Sequence, residues 1–180
     1  CSSDLGRWPG EEESVGQGVV VLRDGTATAR ESAVERFVGI PSMNAVCKHL
    51  AQGLEIRTQT LVEAVRAGAE QPGWTLLGEN GDVLLDCQQL VVSAPAAQAA
   101  NLLDAWEISA SIKDQLMNPC WALMVGFEDS IGADWAGAFV HDSFLTWVAR
   151  NSSKPGRPAA LESWVLHAAP DWTEQHWERS

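Results

Sequence analysis

The stretch from Leu54 to Pro95 constrains the fold of this chain more than any other part of it. Leu54-Glu55-Ile56-Arg57-Thr58 and Thr60 to Arg66 read as two strands, and Gly73-Trp74-Thr75-Leu76-Leu77 reads as a third. The turn residues Glu79-Asn80-Gly81-Asp82 then lead into Val83-Leu84-Leu85. Leu90-Val91-Val92-Ser93 is apolar enough to predict burial on both faces, as in a central parallel strand. It stops at Ala94-Pro95, and an Ala-rich helix from Ala96 to Leu103 follows directly. The block therefore predicts a β-meander that returns into a parallel element.

The flanks are also strand-rich. After a polar, Gly-containing stretch from Cys1 to Gly18, Gly18-Val19-Val20-Val21-Leu22-Arg23 reads as a strand. Asp24-Gly25 supplies a hairpin turn, and Thr26 to Ala29 the return strand. Val34 to Val38 predicts a short strand running into Gly39-Ile40-Pro41-Ser42. Met43, Val46, Cys47 and Leu50 recur at helical spacing, so a helix starts at Pro41 or Ser42 and stops at Gly53. Glu107 to Met117 predicts another helix, closed by Asn118-Pro119. Trp121 to Phe127, Ala136 to Val140, Leu145 to Arg150 and Leu161 to His167 predict an antiparallel sheet. Asp171-Trp172-Thr173-Glu174 has the capping-box form that opens a final helix.

Composition removes whole classes of function. The 180 residues suit one globular domain or a lobe of a larger one, and 46% hydrophobic content excludes wholesale disorder. Twelve Lys and Arg against 24 Asp and Glu leave a net charge of −12, which repels both nucleic acid and anionic membranes. Cys1, Cys47, Cys87 and Cys120 are dispersed without a CxxC pair, which argues against a disulfide framework or a metal site and for a reducing cytoplasm. No apolar run approaches the ~20 residues of a membrane span, and no signal peptide is visible. The start at Cys1 and the helix-like end at Glu178-Arg179-Ser180 read as an internal piece of a longer protein.

Four segments carry a family resemblance. Arg36-Phe37-Val38-Gly39-Ile40-Pro41-Ser42-Met43-Asn44-Ala45-Val46 resembles the segment preceding the meander in renalase-like flavin amine oxidoreductases, closest to the bacterial branch. Trp121 to Phe127, Trp147-Val148-Ala149-Arg150-Asn151-Ser152-Ser153-Lys154-Pro155 and Trp164-Val165-Leu166-His167-Ala168 resemble the same family, in the same order. The resemblance implies FAD and an α+β fold. A mostly antiparallel substrate-domain sheet with flanking helices would accompany a β-meander from an NAD(P)-binding, Rossmann-like FAD domain. On that reading residues 1–53 and 96–180 belong to the substrate domain, and 54–95 to the FAD domain. It also implies hydride transfer from a dihydronicotinamide dinucleotide, or from an amine, to flavin, with oxygen as acceptor. The family's Gly-x-Gly-x-x-Gly turn, its acidic ribose-binding residue and its C-terminal flavin-contacting segment fall outside these residues. Gly16-Gln17-Gly18 is no substitute, since it precedes a hairpin strand rather than opening a helix.

The site residues follow from this resemblance. Backbone groups of Leu61 and Val62 would bond adenine, and Ala94-Pro95 would end the returning strand near the cofactor. Asn151 and His167 each end an apolar strand; they are either strand-end polar groups capped by backbone or, by resemblance, groups that face the cavity over the flavin. There an amide and an imidazole would orient the nicotinamide while the cofactor supplies the chemistry. The expected face of the first strand is Leu145, Trp147, Ala149 and Asn151. Trp147 would either wall the substrate pocket or pack in the core. Arg150 and Lys154 flank Asn151; they are either solvated loop charges, the commoner case for such residues, or cations that attract an anionic dinucleotide tail. The alternative from another class is a non-catalytic ligand-binding or interaction module derived from a flavoprotein.

Overall fold

The computed structural model describes residues 4–9, 18–29, 35–68, 72–158 and 160–177. Val34, the Gly16-Gln17 pair, Cys1 and the last three residues lie outside them. The chain divides into two compact units, Cys1–Leu54 with Pro119–Ser180, and Glu55–Asn118. Residues 96–118 fall in the second unit with the meander.

The first unit is built on a six-stranded mixed sheet. Its strands are β2 (Val19–Arg23), β3 (Thr26–Ala29), β8 (Ala122–Phe127), β9 (Gly137–Val140), β10 (Leu145–Arg150) and β11 (Glu162–Ala168), in the order β3-β2-β9-β10-β11-β8. The expected antiparallel set β9-β10-β11-β8 forms, and β2 extends it by pairing in parallel with β9. The β2–β3 hairpin closes through Asp24 and Gly25 at φ 49° and 75°, the left-handed pair that a twist-matched two-residue turn requires. A separate ribbon pairs β1 (Leu5–Arg7) with β4 (Phe37–Gly39). Helix α1 (Ala45–Leu50) follows it, starting after Ser42 rather than at it.

The core of this unit gathers Trp8, Val38, Ala136 and Ala149, with Val19 and Trp147 packed against them. Gly137 makes that packing possible. A Cβ there would lie 2.9 Å from Cη2 of Trp8 and 3.0 Å from Cη2 of Trp147. The two indoles meet edge to face at 6.4 Å, and Phe139 lies 4.8 Å from Trp147.

Helix α4 (Pro170–Gln175) does not use the expected capping box. Its cap position is Ala169, Pro170 is its first residue and Asp171 sits in its first turn. The fully buried Thr173 hydroxyl donates to Ala169 O and accepts from Trp121 N–H, fastening the helix to the segment that enters β8.

In the second unit, β5 (Ala64–Ala67), β6 (Trp74–Leu77) and β7 (Val83–Cys87) form the meander, antiparallel throughout. The 54–58 segment is not a strand, and the next strand begins at Ala64 rather than Thr60. Gln59, at φ 55°, breaks the extended backbone between them. Leu54, Ile56 and Leu61 are exposed, so no buried face sets a register there. Arg57 instead donates to Leu84 O at 2.8 Å and pairs with Glu55 at 2.9 Å.

Leu90–Ser93 is not a strand either. An apolar run becomes a central strand only where others supply its ladder, and none pairs with it among the described residues. Val91 is 90% exposed. Helix α2 (Ala96–Leu102) forms as expected and packs on α3 (Ile108–Lys113), where the buried Ser109 hydroxyl donates to Ala100 O. Helix α3 stops four residues short of the expected Met117; Leu116 and Met117 are exposed, so no buried face extends it, and the Met117 sulfur accepts from Ala96 N–H instead.

Candidate functional site

Three places in the two units gather the groups that chemistry needs. The first lies in the meander unit, a cavity of about 430 Å³ lined by Glu55, Arg57, Thr60, Val62, Leu76, Leu84 and Leu85. Its floor is apolar and its rim carries the Arg57–Glu55 pair. Val62 lines it, while Leu61 beside it is exposed. Both residues precede β5 rather than sitting in a strand, whose ladder opens with Glu63 N–H donating to Leu77 O. Among the described residues the amides and carbonyls of Leu61 and Val62 make no hydrogen bond with the protein. They are open to a planar ligand edge. Ala94 and Pro95 are exposed, and Pro95 is the cap position of α2. The Ala96 amide behind it donates to the Met117 sulfur.

The second place is the β10–β11 ladder. His167 lies opposite Trp147 on one side and Ala122 on the other, half-buried. Asn151 is not a strand residue; it opens a 3-10 turn, Asn151–Ser153. Because the strands are antiparallel, Asn151 leaves the ladder at the end opposite His167. Four residues separate it from Trp147, a distance of about 13 Å at ~3.3 Å per residue. The two side chains are not brought together on one group; they bracket a length of sheet.

The expected strand face is also broken. The ladder slips between Leu145 and Trp147, so that Leu145 pairs with Ala168 while Trp147 pairs with His167. Thr146 is the extra residue of a β-bulge, its hydroxyl donating to His167 O. The slip removes Leu145 from the side of Trp147 and puts it with Leu166 and Ala168. There it lines an apolar cavity of about 560 Å³, together with Trp121, Phe144, Trp172 and His176. His176 stacks on Trp172 at 4.0 Å and bonds the Trp172 carbonyl at 2.7 Å. The i,i+4 spacing of Trp172 and His176 at the end of a helix is the sequence signal for this pair.

The third place is the loop after β10. Lys154 Nζ lies 3.3 Å from Asn151 Oδ1 and 5.5 Å from the centre of the Trp8 ring. Burial, and then the neighbouring Arg157, hold its ammonium below the ordinary lysine value. Arg157 Nη1 donates to the carbonyls of Gly39, Pro41 and Pro155. No sequence pattern marked Arg157. Arg150, expected to act with Lys154, instead donates to Ala133 O and answers the carboxylate of Glu162.

Cys47, Cys87 and Cys120 are free thiols, and no metal-binding group of three or more His, Cys, Asp or Glu occurs among the described residues. No helix among the described residues is long and apolar enough to cross a membrane.

With this geometry in hand, comparison with known proteins gives one result. No protein-family model matches the sequence. A solved structure from Exiguobacterium sp. 255-15, provisionally named a protoporphyrinogen oxidase, superposes with a TM-score of 0.59 at 12% identity, over 83% of this chain and 36% of its own. Two variants of a putrescine oxidase with redesigned cofactor binding give 0.59 and 0.58, also at 12% identity, over 81% and 80% of this chain. The chain shares its fold with part of each of those structures. The chain spans about a third of the length of those proteins, since it covers 36%, 33% and 32% of them.

Proposed function

We propose that this chain is part of an FAD-dependent oxidoreductase of the renalase-like kind. It would take hydride from a dihydronicotinamide dinucleotide, with amines as the alternative substrate class and oxygen as acceptor. The observation that carries the reading is the agreement of two independent lines. Four sequence segments resemble that family in order, and the chain superposes on flavin-oxidase-type folds over four-fifths of its length.

Bound FAD supplies the hydride acceptor. The residues of this chain supply position. Val62 offers an unpaired amide and carbonyl at a concave, apolar-floored site, which fits an adenine edge and needs no charged side chain. His167 and Asn151, at the two ends of the β10–β11 ladder, hold separate parts of an extended substrate rather than one shared carboxamide. Trp147 stands between them in the core, so its role is packing.

The test uses the full-length protein. Flavin bands in its visible spectrum, bleached faster by a dihydronicotinamide dinucleotide than by putrescine, are the expected result. Val62→Pro removes the free amide ahead of the β5 ladder without touching a ladder bond, and is expected to weaken FAD retention about tenfold. A full-length protein without flavin bands overturns the reading.

A further inference from the structure

We propose that the loop from Asn151 to Arg157 is an oxyanion site, in which Lys154 and Arg157 receive a phosphate of the substrate. The assignment deepens the oxidoreductase reading and, as a statement about substrate class, rests on it. Three observations point the same way.

Charge comes first. The chain carries −12 overall, yet among the described residues neither Lys154 nor Arg157 has a carboxylate within ion-pair distance, while Arg7, Arg23, Arg57 and Lys113 each have one. A turn joins the two cations, Arg157 N–H donating to Lys154 O at 3.2 Å, and burial, then the charge of Arg157, lowers the Lys154 ammonium. Like charges placed side by side without a counter-charge are the arrangement an oxyanion completes.

Unused donors come second. The ammonium of Lys154 has three N–H groups and one oxygen partner, Asn151 Oδ1. Arg157 spends Nη1 on three carbonyls, whereas its Nη2 is buried with no partner among the described residues. A buried guanidinium nitrogen without an acceptor is costly, and a phosphate oxygen is the acceptor its planar fork suits.

Preorganisation comes third. The loop is fixed before any ligand arrives. Trp8 Nε1 donates to Ser153 Oγ, which donates to Arg150 O, and Ser163 N–H donates to Ser152 Oγ. Gly156, at φ 75°, lies so close to Ile40 and Pro41 that a Cβ would approach Ile40 Cγ2 to 2.8 Å.

The site discriminates between the two substrate classes. A dinucleotide brings phosphate to the paired cations, whereas an ammonium substrate is repelled by them. Asn151, besides its place beside the substrate, orients the Lys154 ammonium over Trp8 through its Oδ1.

Calorimetric titration of the flavin-free 180-residue chain with inorganic pyrophosphate, and separately with malonate, tests the site without reference to flavin. Saturable pyrophosphate binding, about tenfold weaker in Lys154→Gln and unchanged in Lys48→Gln on α1, is expected. Arg157→Lys, which keeps the charge and loses the fork, should also weaken it if the variant folds by circular dichroism. Equal losses in Lys154→Gln and Lys48→Gln, malonate binding as tightly as pyrophosphate, or no saturable binding would each overturn the proposal. Failure of the oxidase reading would appear instead as missing flavin bands in the full-length protein, with pyrophosphate binding intact.

Discussion

Trp8 Nε1 donates a 2.8 Å hydrogen bond to Ser153 Oγ across 145 residues of sequence. That bond ties the first described strand ribbon to the loop carrying Lys154. The same indole packs edge to face on Trp147 over the bare Cα of Gly137. One side chain thus couples the core of the sheet to the proposed anion loop.

Gly137→Ala tests the core half of that relationship. The added Cβ would press on both indoles at about 3 Å, and overpacking of this kind costs ~1–3 kcal/mol. In Trp8→Phe the smaller ring withdraws from Gly137, so the alanine should cost less in that background. Urea unfolding of the two single variants and the double variant measures the coupling. Strict additivity would show that Trp8 and Gly137 do not share this space.

Glu162 gives a pH signature. Burial pushes its carboxyl up, but hydrogen bonds from Ser130, Trp164 and the Ile131 amide, with the charge of Arg150, outweigh it and leave the group below its ordinary value. A depressed carboxylate stabilises the fold above its unfolded pKa of about 4.3, and that stability is lost as pH falls through the lower folded value. Wild type should exceed Glu162→Gln in thermal stability at pH 7, and the two should converge as pH falls below the unfolded value of about 4.3. A gap of constant size across that range would remove Glu162 as its source.

Asn151 and His167 yield an additivity prediction, because about 13 Å of ladder separates them. Replacing either by Ala in the full-length enzyme should slow substrate reduction of flavin roughly ten- to hundredfold, for a lost bond of ~1.5–3 kcal/mol. The double variant should show the product of the two effects. The later reaction with oxygen should change little. Stopped-flow absorbance separates the half-reactions, and two single variants at the parental rate would make both residues structural.

Local patterns that carry their own physics were readable in the chain alone. Asp24-Gly25 closes a hairpin because both residues tolerate positive φ, and β10 spans Leu145 to Arg150 as expected. Helix α2 follows from Ala-rich composition after Pro95. Elements whose existence depends on a partner were not readable. Leu90–Ser93 has the composition of a central strand but no ladder among the described residues, and Leu54–Thr58 lost its register to Gln59 and to the bond from Arg57 to Leu84. The bulge at Thr146 is a ladder slip between two strands, so no periodicity within one strand reveals that Leu145 leaves the side of Trp147. Arg157 shows the limit most clearly. In sequence it is one more cation in a Pro-Gly loop, and only the carbonyls of Gly39 and Pro41, more than a hundred residues earlier, decide that one of its nitrogens is saturated and the other left buried and open.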